Sequence, residues 1–181
     1  MKVFILTYHE NIKEAERLKK ELLDFNFPNP IIINNLPRCD KIHIKPPKII
    51  YLNFLYYILP FVDDDFLFFE DDAVINKDYK VIKNHFDKGL VSRIGYLRDN
   101  KAFIQGSHCV GFKKEVIPQL KDYMFERHSR AIHFDRFLCN FNRDILKEGQ
   151  YYVPPLEQRL IGYKSHYSII NNGFRDSLDI P

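Results

Sequence analysis

A short apolar segment at residues 66–69, FLFF, is flanked on each side by three consecutive acidic residues. Apolar residues without alternation are typical of a strand that is covered on both faces, as in the middle of a parallel sheet. Neighbouring carboxylates repel one another, so each acidic cluster requires water or a cation to compensate its charge. The segment therefore predicts a buried strand with a charged cluster at either end.

The N-terminal residues predict the kind of sheet to which this strand belongs. Residues 3–6 form an apolar strand, and residues 12–25 carry apolar side chains at helical spacing after Asn11, a typical N-cap. Residues 31–35, IIINN, predict a second short strand. A strand, a helix and a strand in this order form a βαβ unit, which implies a parallel sheet.

The remaining segments continue this α/β pattern, with a loop at residues 36–47 and an irregular tail from Tyr151. We expect helices over residues 48–62, 80–89, 113–125 and 133–149, and strands over residues 90–97 and 102–112.

Composition favours one soluble domain. The 181 residues are 45% hydrophobic and 28% charged, and the net charge of +3 is too small to indicate a nucleic-acid or membrane partner. No segment approaches the length of a transmembrane helix. Cys39, Cys109 and Cys139 are widely spaced and form no CxxC pair, which favours reduced thiols in a cytoplasmic protein over zinc or disulfides.

The two acidic clusters have different expected roles. Open parallel sheets bind ligands at the carboxyl ends of their strands. Residues 63–65 then lie at the far edge as a solvated turn, and residues 70–72 lie at the edge that binds ligands. If the chain stays extended beyond the strand, its side chains alternate, so that Glu70 and Asp72 point to one side and Asp71 to the other. Two carboxylates on one side suit Mg²⁺ or Mn²⁺, although a solvated acidic turn is the simpler alternative.

A hydrophobic strand that ends in a D-x-D-like acidic group is similar to the signature of nucleotide-sugar glycosyltransferases of the GT-A fold. Residues 66–74, FLFFEDDAV, resemble more specifically a segment of glycosyltransferase family 25, the lipooligosaccharide and collagen galactosyltransferase type. Residues 104–120, 133–138 and 151–168 resemble later segments of that family in the same order. The pattern covers roughly residues 48–168, whereas the long acceptor-side loops of the family are missing.

The resemblance implies a GT-A-like, Rossmann-like fold: a mixed, mainly parallel sheet with helices on both faces. Residues 1–181 would form one minimal domain, of a size that occurs in viruses and microbes. Residues 1–72 would be the nucleotide-binding half, and residues 73–181 the acceptor-side half.

The resemblance also implies a metal site for Mn²⁺ or Mg²⁺. Asp72 is the first choice as a direct ligand, Glu70 contacts the metal or the ribose, and Asp71 contacts the ribose or a metal-bound water. As an exposed turn acid, Asp72 is expected to add little to stability. His166 is a candidate third ligand, although a lone histidine is more often a surface or core residue. His108 and His9 are weaker candidates than His166 for the third metal ligand.

Asp135 follows His133 and Phe134 at a predicted helix start. It is either a helix-capping residue or, by the resemblance, a general base that takes a proton from the acceptor hydroxyl. A single base of this kind implies an inverting displacement.

The remaining candidates are contacts to the donor. The resemblance places the base and ribose near Thr7 and Tyr8, and the sugar near Gly106 and Ser107, where a glycine admits it closely. Arg38 is a candidate contact to the diphosphate.

The sequence thus predicts a metal-dependent, inverting glycosyltransferase of hexosyltransferase type. It would act on a UDP- or GDP-sugar and on a glycan or protein acceptor. Two alternatives remain: a metal-dependent phosphoryl-transfer enzyme or phosphohydrolase, and a GT-A-like binding module without activity. Neither a dinucleotide-binding glycine motif nor a P-loop occurs.

Overall fold

The computed structural model describes residues 1–7, 11–34, 46–95, 98–100, 103–105, 108–127, 134–155 and 161–163. The helices in these ranges are α1 (Ile12–Asp24), α2 (Pro46–Asn53), α3 (Tyr79–Phe86), α4 (Ile117–Arg127) and α5 (Phe134–Asp144). The strands are β1 (Lys2–Leu6), β2 (Ile31–Ile33), β3 (Phe66–Glu70), β4 (Ala73–Ile75), β5 (Val91–Gly95), β6 (Arg98–Asn100), β7 (Phe103–Gln105), β8 (Cys109–Phe112), β9 (Tyr151–Tyr152) and β10 (Ile161–Tyr163).

Six strands form the main sheet in the order β2-β1-β3-β8-β5-β9. Strand β1 pairs in parallel with β2 and with β3, and β5 pairs in parallel with β9. Strand β8 is antiparallel to both of its neighbours, β3 and β5. The sheet is therefore mixed and mainly parallel, as predicted. Two small ribbons, β4 with β10 and β6 with β7, complete the strand pairing that the structure describes.

The apolar strand β3 lies inside the sheet and separates two layers of helices. Phe66 and Phe68 pack on the face covered by α2, α4 and α5, whereas Leu67 and Phe69 pack on the face covered by α1 and α3. All four side chains are fully buried. Burial of one such side chain contributes roughly 1.5–3 kcal/mol, which explains why this segment is apolar without alternation. The predicted helices on both faces are confirmed.

The helix predicted over residues 48–62 begins earlier and ends in a different geometry. It begins at Pro46, continues from Phe54 to Ile58 as a π-helix and ends as a 3-10 turn over Leu59–Phe61. Proline is accepted in the first turn of a helix because the missing N–H has no intrahelical partner there. Within the described ranges, every helix is too short or too polar to cross a lipid bilayer.

The C-terminal part is more regular than predicted. Helix α5 ends at Asp144 instead of Gly149, which has a φ of 80° in the turn that follows. Residues after this turn form β9, which pairs with the otherwise open edge of β5, and β10, which pairs with β4. An edge strand offers unpaired backbone groups to any segment that reaches it. Strands β9 and β10 form because distant strands offer such groups, so the composition of residues 151–163 did not indicate them.

The two cysteines in the described ranges carry thiols and form no disulfide. Burial raises the pKa of the Cys109 thiol well above its usual range. Both observations agree with the predicted reduced cysteines, whereas Cys39 lies outside the described residues.

Candidate functional site

The acidic residues after β3 meet the beginning of β8 at one edge of the sheet. Glu70 is the last residue of β3, and its N–H donates to the carbonyl oxygen of His108 over 3.2 Å. Because β8 runs antiparallel to β3, its first residues lie at the edge where β3 ends. One ligand atom each of Glu70, Asp72 and His108 lies within 4.8 Å of the others. The structure thus brings together the two carboxylates that were predicted to share a side, although a turn at residues 71–72 takes the place of the extended backbone.

This acidic group is largely buried and strongly polar. Nδ1 of His108 lies 3.1 Å from Oδ1 of Asp72 and 3.9 Å from Oε2 of Glu70. Burial lowers the pKa of His108, but the carboxylates of Asp72, Glu70 and Asp135 raise it, and the result is about 9. Asp72 is only 8% exposed, so the expectation of an exposed turn acid is wrong. The turn folds back against His108, which removes the carboxylate from solvent.

The donor set fits a divalent cation. Two carboxylates and an imidazole are ligands that Mn²⁺ accepts, and the carboxylates also suit Mg²⁺. An imidazole binds metal only in its neutral form, so a cation at this group would replace the proton on His108. His108 is a stronger candidate ligand than the sequence indicated, whereas His166 lies outside the described residues and stays a prediction. If β8 ran parallel to β3, His108 would lie at the opposite edge of the sheet, because it precedes β8. Since β8 runs antiparallel to β3, His108 lies at the edge where β3 ends.

Asp71 points away from this group and joins β3 to β1. Its carboxylate accepts a hydrogen bond of 2.5 Å from Oγ1 of Thr7, and its N–H donates to the carbonyl oxygen of Leu6. Asn53 in turn donates to the carbonyl oxygen of Thr7 over 3.2 Å. The side chains of Thr7 and Asp71 are 0% and 2% exposed. The two side chains bind each other and hold the strand ends together, and the predicted contacts of Thr7 and Asp71 with the donor stay predictions.

The turn that carries Asp72 is also fixed from α1. The guanidinium of Arg17 donates to the carbonyl oxygens of Ala73 and Asp71, at 2.8 and 3.3 Å. Glu14 and Glu21, three residues before and four residues after Arg17, bind the same guanidinium. The spacing of these charges on α1 is visible in the sequence, but the long-range contact to the turn is not.

The predicted base follows a residue that packs on β3, since the ring centroids of Phe134 and Phe68 lie 4.9 Å apart. Asp135 is in the first turn of α5, and its side chain is 29% exposed. Its Oδ1 lies 3.0 Å from Nη2 of Arg93, a fully buried residue of β5. The carboxylate of Asp135 is also among the groups that raise the pKa of His108. Sequence reasoning missed Arg93, for which the signal was a charged residue inside the apolar segment VSRIG.

The first acidic cluster lies at the opposite edge, as predicted. Lys2 pairs with Asp63, the amino terminus with Asp64, and Lys113 with Asp65. Asp65 also accepts a hydrogen bond from the N–H of Lys114 over 2.9 Å. Only Asp63 is almost fully exposed, with 89% of its side chain accessible. Asp63 and Asp64 are therefore solvated, as predicted, and their exposed ion pairs contribute little, whereas Asp65 is bound by Lys113 and Lys114 at the start of β3.

The other candidates of the sequence fall outside the described ranges and stay predictions. They are Tyr8, Arg38, Gly106 and Ser107, together with His9 and His166.

Solved structures with a similar fold include two glycosyltransferases and a nucleotidyltransferase. The first is a glycosyltransferase involved in the glycosylation of the major capsid of PBCV-1, with a TM-score of 0.57 and 12% identity over 85% of this chain and 82% of that one. The apo-form glycosyltransferase GlyE of Streptococcus pneumoniae TIGR4 has a TM-score of 0.50 and 13% identity over 86% of this chain and 45% of GlyE. This chain therefore spans less than half of GlyE.

The third is a putative glucose-1-phosphate thymidylyltransferase from Bacillus anthracis, with a TM-score of 0.56 and 10% identity over 94% of this chain and 93% of that one. No protein-family profile matches the sequence, and no curated protein matches it. At such identities the similarity establishes the fold alone. The chain has the GT-A glycosyltransferase fold. Membership of family 25 stays a prediction.

Proposed function

We propose that this chain is a metal-dependent glycosyltransferase that moves a sugar from a UDP- or GDP-sugar to a hydroxyl group of a glycan or protein. One observation carries the proposal: Glu70, Asp72 and His108 converge at the carboxyl end of β3, at the edge where α/β sheets bind ligands. Asp135 would supply the base from the start of α5, where the ring of Phe134 packs on Phe68 of β3.

Glu70, Asp72 and His108 would hold Mn²⁺ or Mg²⁺, and the diphosphate of the donor would complete the coordination. When bound, the cation stabilises the negative charge that the leaving nucleoside diphosphate acquires. The carboxylates bind the cation, whereas Arg17 and the Thr7–Asp71 hydrogen bond keep the turn between β3 and β4 in place.

In the proposed reaction Asp135 accepts the proton of the acceptor hydroxyl. The acceptor oxygen forms a bond to the anomeric carbon while the bond from that carbon to the diphosphate oxygen breaks. The electron pair of the broken bond leaves with the nucleoside diphosphate. A single displacement without a covalent sugar–protein intermediate inverts the anomeric configuration. The half-buried carboxylate of Asp135 is accessible enough to act as the base.

In the same proposal residues 1–72 form the nucleotide side and residues 73–181 the acceptor side. Tyr8 and Arg38 would contact the nucleotide, and Gly106 and Ser107 the sugar. The activity would be of inverting hexosyltransferase type, as in family 25.

The test is release of nucleoside diphosphate from UDP- and GDP-hexoses with Mn²⁺, with Mg²⁺ and with a chelator. We expect release only with a cation, and a loss of at least about 100-fold in Asp72→Asn, because the cation stabilises developing charge. Asp63→Asn is the matched control, since it also neutralises an acid next to β3 but lies at the opposite edge. Release that persists with the chelator and in Asp72→Asn would contradict the proposal.

A second candidate is metal-dependent nucleotidyl or phosphoryl transfer. The similarity to the thymidylyltransferase extends over nearly the whole of both chains, and the same acidic group suits a phosphoryl-transfer site. Incubation with nucleoside triphosphates, sugar 1-phosphates and Mn²⁺, with pyrophosphate as the product, distinguishes the two candidates. Hydrolysis of DNA, RNA or a phosphate ester is measured in parallel.

Turnover in these assays without consumption of nucleotide sugars would favour the second candidate. A rise in melting temperature with nucleotide sugars but no turnover in any assay would indicate a binding module.

A further inference from the structure

A buried arginine of β5 binds the predicted base from inside the protein. Arg93 is 0% exposed, and its Nη2 donates to Oδ1 of Asp135 over 3.0 Å. Its Nη1 lies 3.6 Å from Sγ of Cys139, one turn further along α5. The guanidinium therefore lies against the first two turns of α5, on the sheet face that this helix covers.

Packing alone does not account for a charge at this position. Burial of a guanidinium costs several kcal/mol unless charged or polar partners compensate, and an apolar side chain of similar size would avoid this cost. Burial lowers the pKa of Arg93, but Tyr151 and Asp135 raise it by more, so the side chain stays charged. The charge of Arg93 therefore interacts with neighbouring polar groups. Among the residues that the structure describes, Asp135 is the acidic residue that Arg93 binds.

The two members of the pair differ in their access to solvent. The Arg93 side chain is enclosed, whereas the Asp135 side chain is 29% exposed. The planar guanidinium has donors in fixed directions, and its Nη2 therefore restrains the position of the bound oxygen, Oδ1 of Asp135. Asp135 is thus anchored from the core and partly exposed at the surface.

We propose that Arg93 is a positioning residue that fixes the Asp135 carboxylate in the orientation in which it accepts the proton of the acceptor. This inference rests on the proposed function, since it gives Arg93 a task only if Asp135 is the base. Arg93 would then contribute to the reaction without contacting either the donor or the metal.

The test compares Arg93→Met, Arg93→Lys, Asp135→Asn and the double variant Arg93→Met/Asp135→Asn. We expect Arg93→Met to lower kcat roughly 100-fold, as a misplaced catalytic group does. The KM for the donor and the affinity for Mn²⁺, measured by calorimetry, should stay unchanged. Arg93→Lys should recover part of kcat because it keeps the charge without the planar fork. In the Asp135→Asn background, Arg93→Met should cause no further loss.

Arg143→Met is the matched control, because Arg143 lies at the other end of α5, is 69% exposed and pairs with Asp144. Its kcat should equal that of the wild type. If Arg93→Met fails to fold, Arg93→Gln takes its place under the same criteria.

Wild-type kcat in Arg93→Met, with an inactive Asp135→Asn, would overturn the inference and leave the proposed function standing. An equal loss from Arg93→Met in both backgrounds would also overturn it, because the effect would then be a general structural one. Wild-type kcat in Asp135→Asn would overturn the base and the positioning role together.

Discussion

Nδ1 of His108 lies 3.1 Å from Oδ1 of Asp72, although 36 residues separate the two in sequence. The contact exists because β8 enters the sheet antiparallel to β3 and therefore begins where β3 ends. A nitrogen ligand thus joins two carboxylates that the chain provides locally.

The first prediction concerns the affinity for metal. His108→Asn should weaken Mn²⁺ binding by at least about 10-fold, since replacement even of groups that only orient a ligand costs this much. The measurement is a Mn²⁺ titration followed by electron paramagnetic resonance. His85→Asn is the control, because His85 binds Tyr152 at 2.7 Å and is not part of the group formed by Glu70, Asp72 and His108. Equal affinities in the two variants would exclude His108 as a ligand.

The second prediction concerns the stability of the metal-free protein. Asp72→Ala leaves the buried His108 without its nearest carboxylate, and loss of one partner of a buried polar pair costs about 1–3 kcal/mol. We expect a fall of this size in the free energy of unfolding in urea with a chelator present. Asp63→Ala removes an exposed acid and should leave stability unchanged. Equal stabilities of the two variants would show that the turn acid is solvated after all.

The third prediction concerns the contact between β1 and β3. Thr7→Val keeps the shape of the side chain but removes the hydroxyl that donates to the buried Asp71 carboxylate. The free energy of unfolding should fall by about 1–3 kcal/mol, because a buried acceptor loses its donor. Thr7→Ser keeps the hydroxyl and should lose less, as urea denaturation of both variants would show. A larger loss in Thr7→Ser would mean that methyl packing dominates at this position.

The fourth prediction concerns alkaline pH. Burial, with a smaller effect of Tyr56, raises the pKa of Tyr51 from 10.0 to about 12. Between about pH 10 and pH 12 the folded protein keeps the proton of the Tyr51 hydroxyl, whereas the unfolded chain releases it. The resulting stability is complete below about pH 10 and is lost as the pH rises towards 12. Tyr51→Phe should therefore lose less stability than the wild type between about pH 9 and pH 11, as measured by urea unfolding. Identical losses would show that Tyr51 titrates normally.

Local patterns in the sequence were sufficient for most of the fold. The unbroken apolar segment at residues 66–69 and the helical spacing in residues 12–25 predicted β3 and α1, because periodicity reflects which faces are buried. Alternation predicted that Glu70 and Asp72 share a side, and their carboxylates do converge, although through a turn at residues 71–72. The same rules failed for β9 and β10, whose strand geometry depends on partners far away in the chain.

By itself, therefore, the sequence determined a mixed α/β fold, the edge at which the acids gather and the two carboxylates that face one way. Only the tertiary structure decided that His108 lies beside these two carboxylates, that Thr7 donates a hydrogen bond to Asp71, and that Arg93 binds Asp135. The physical reason is that side-chain direction along one strand follows from local backbone geometry. Which strands are neighbours, and in which direction each runs, follows from how the whole core packs.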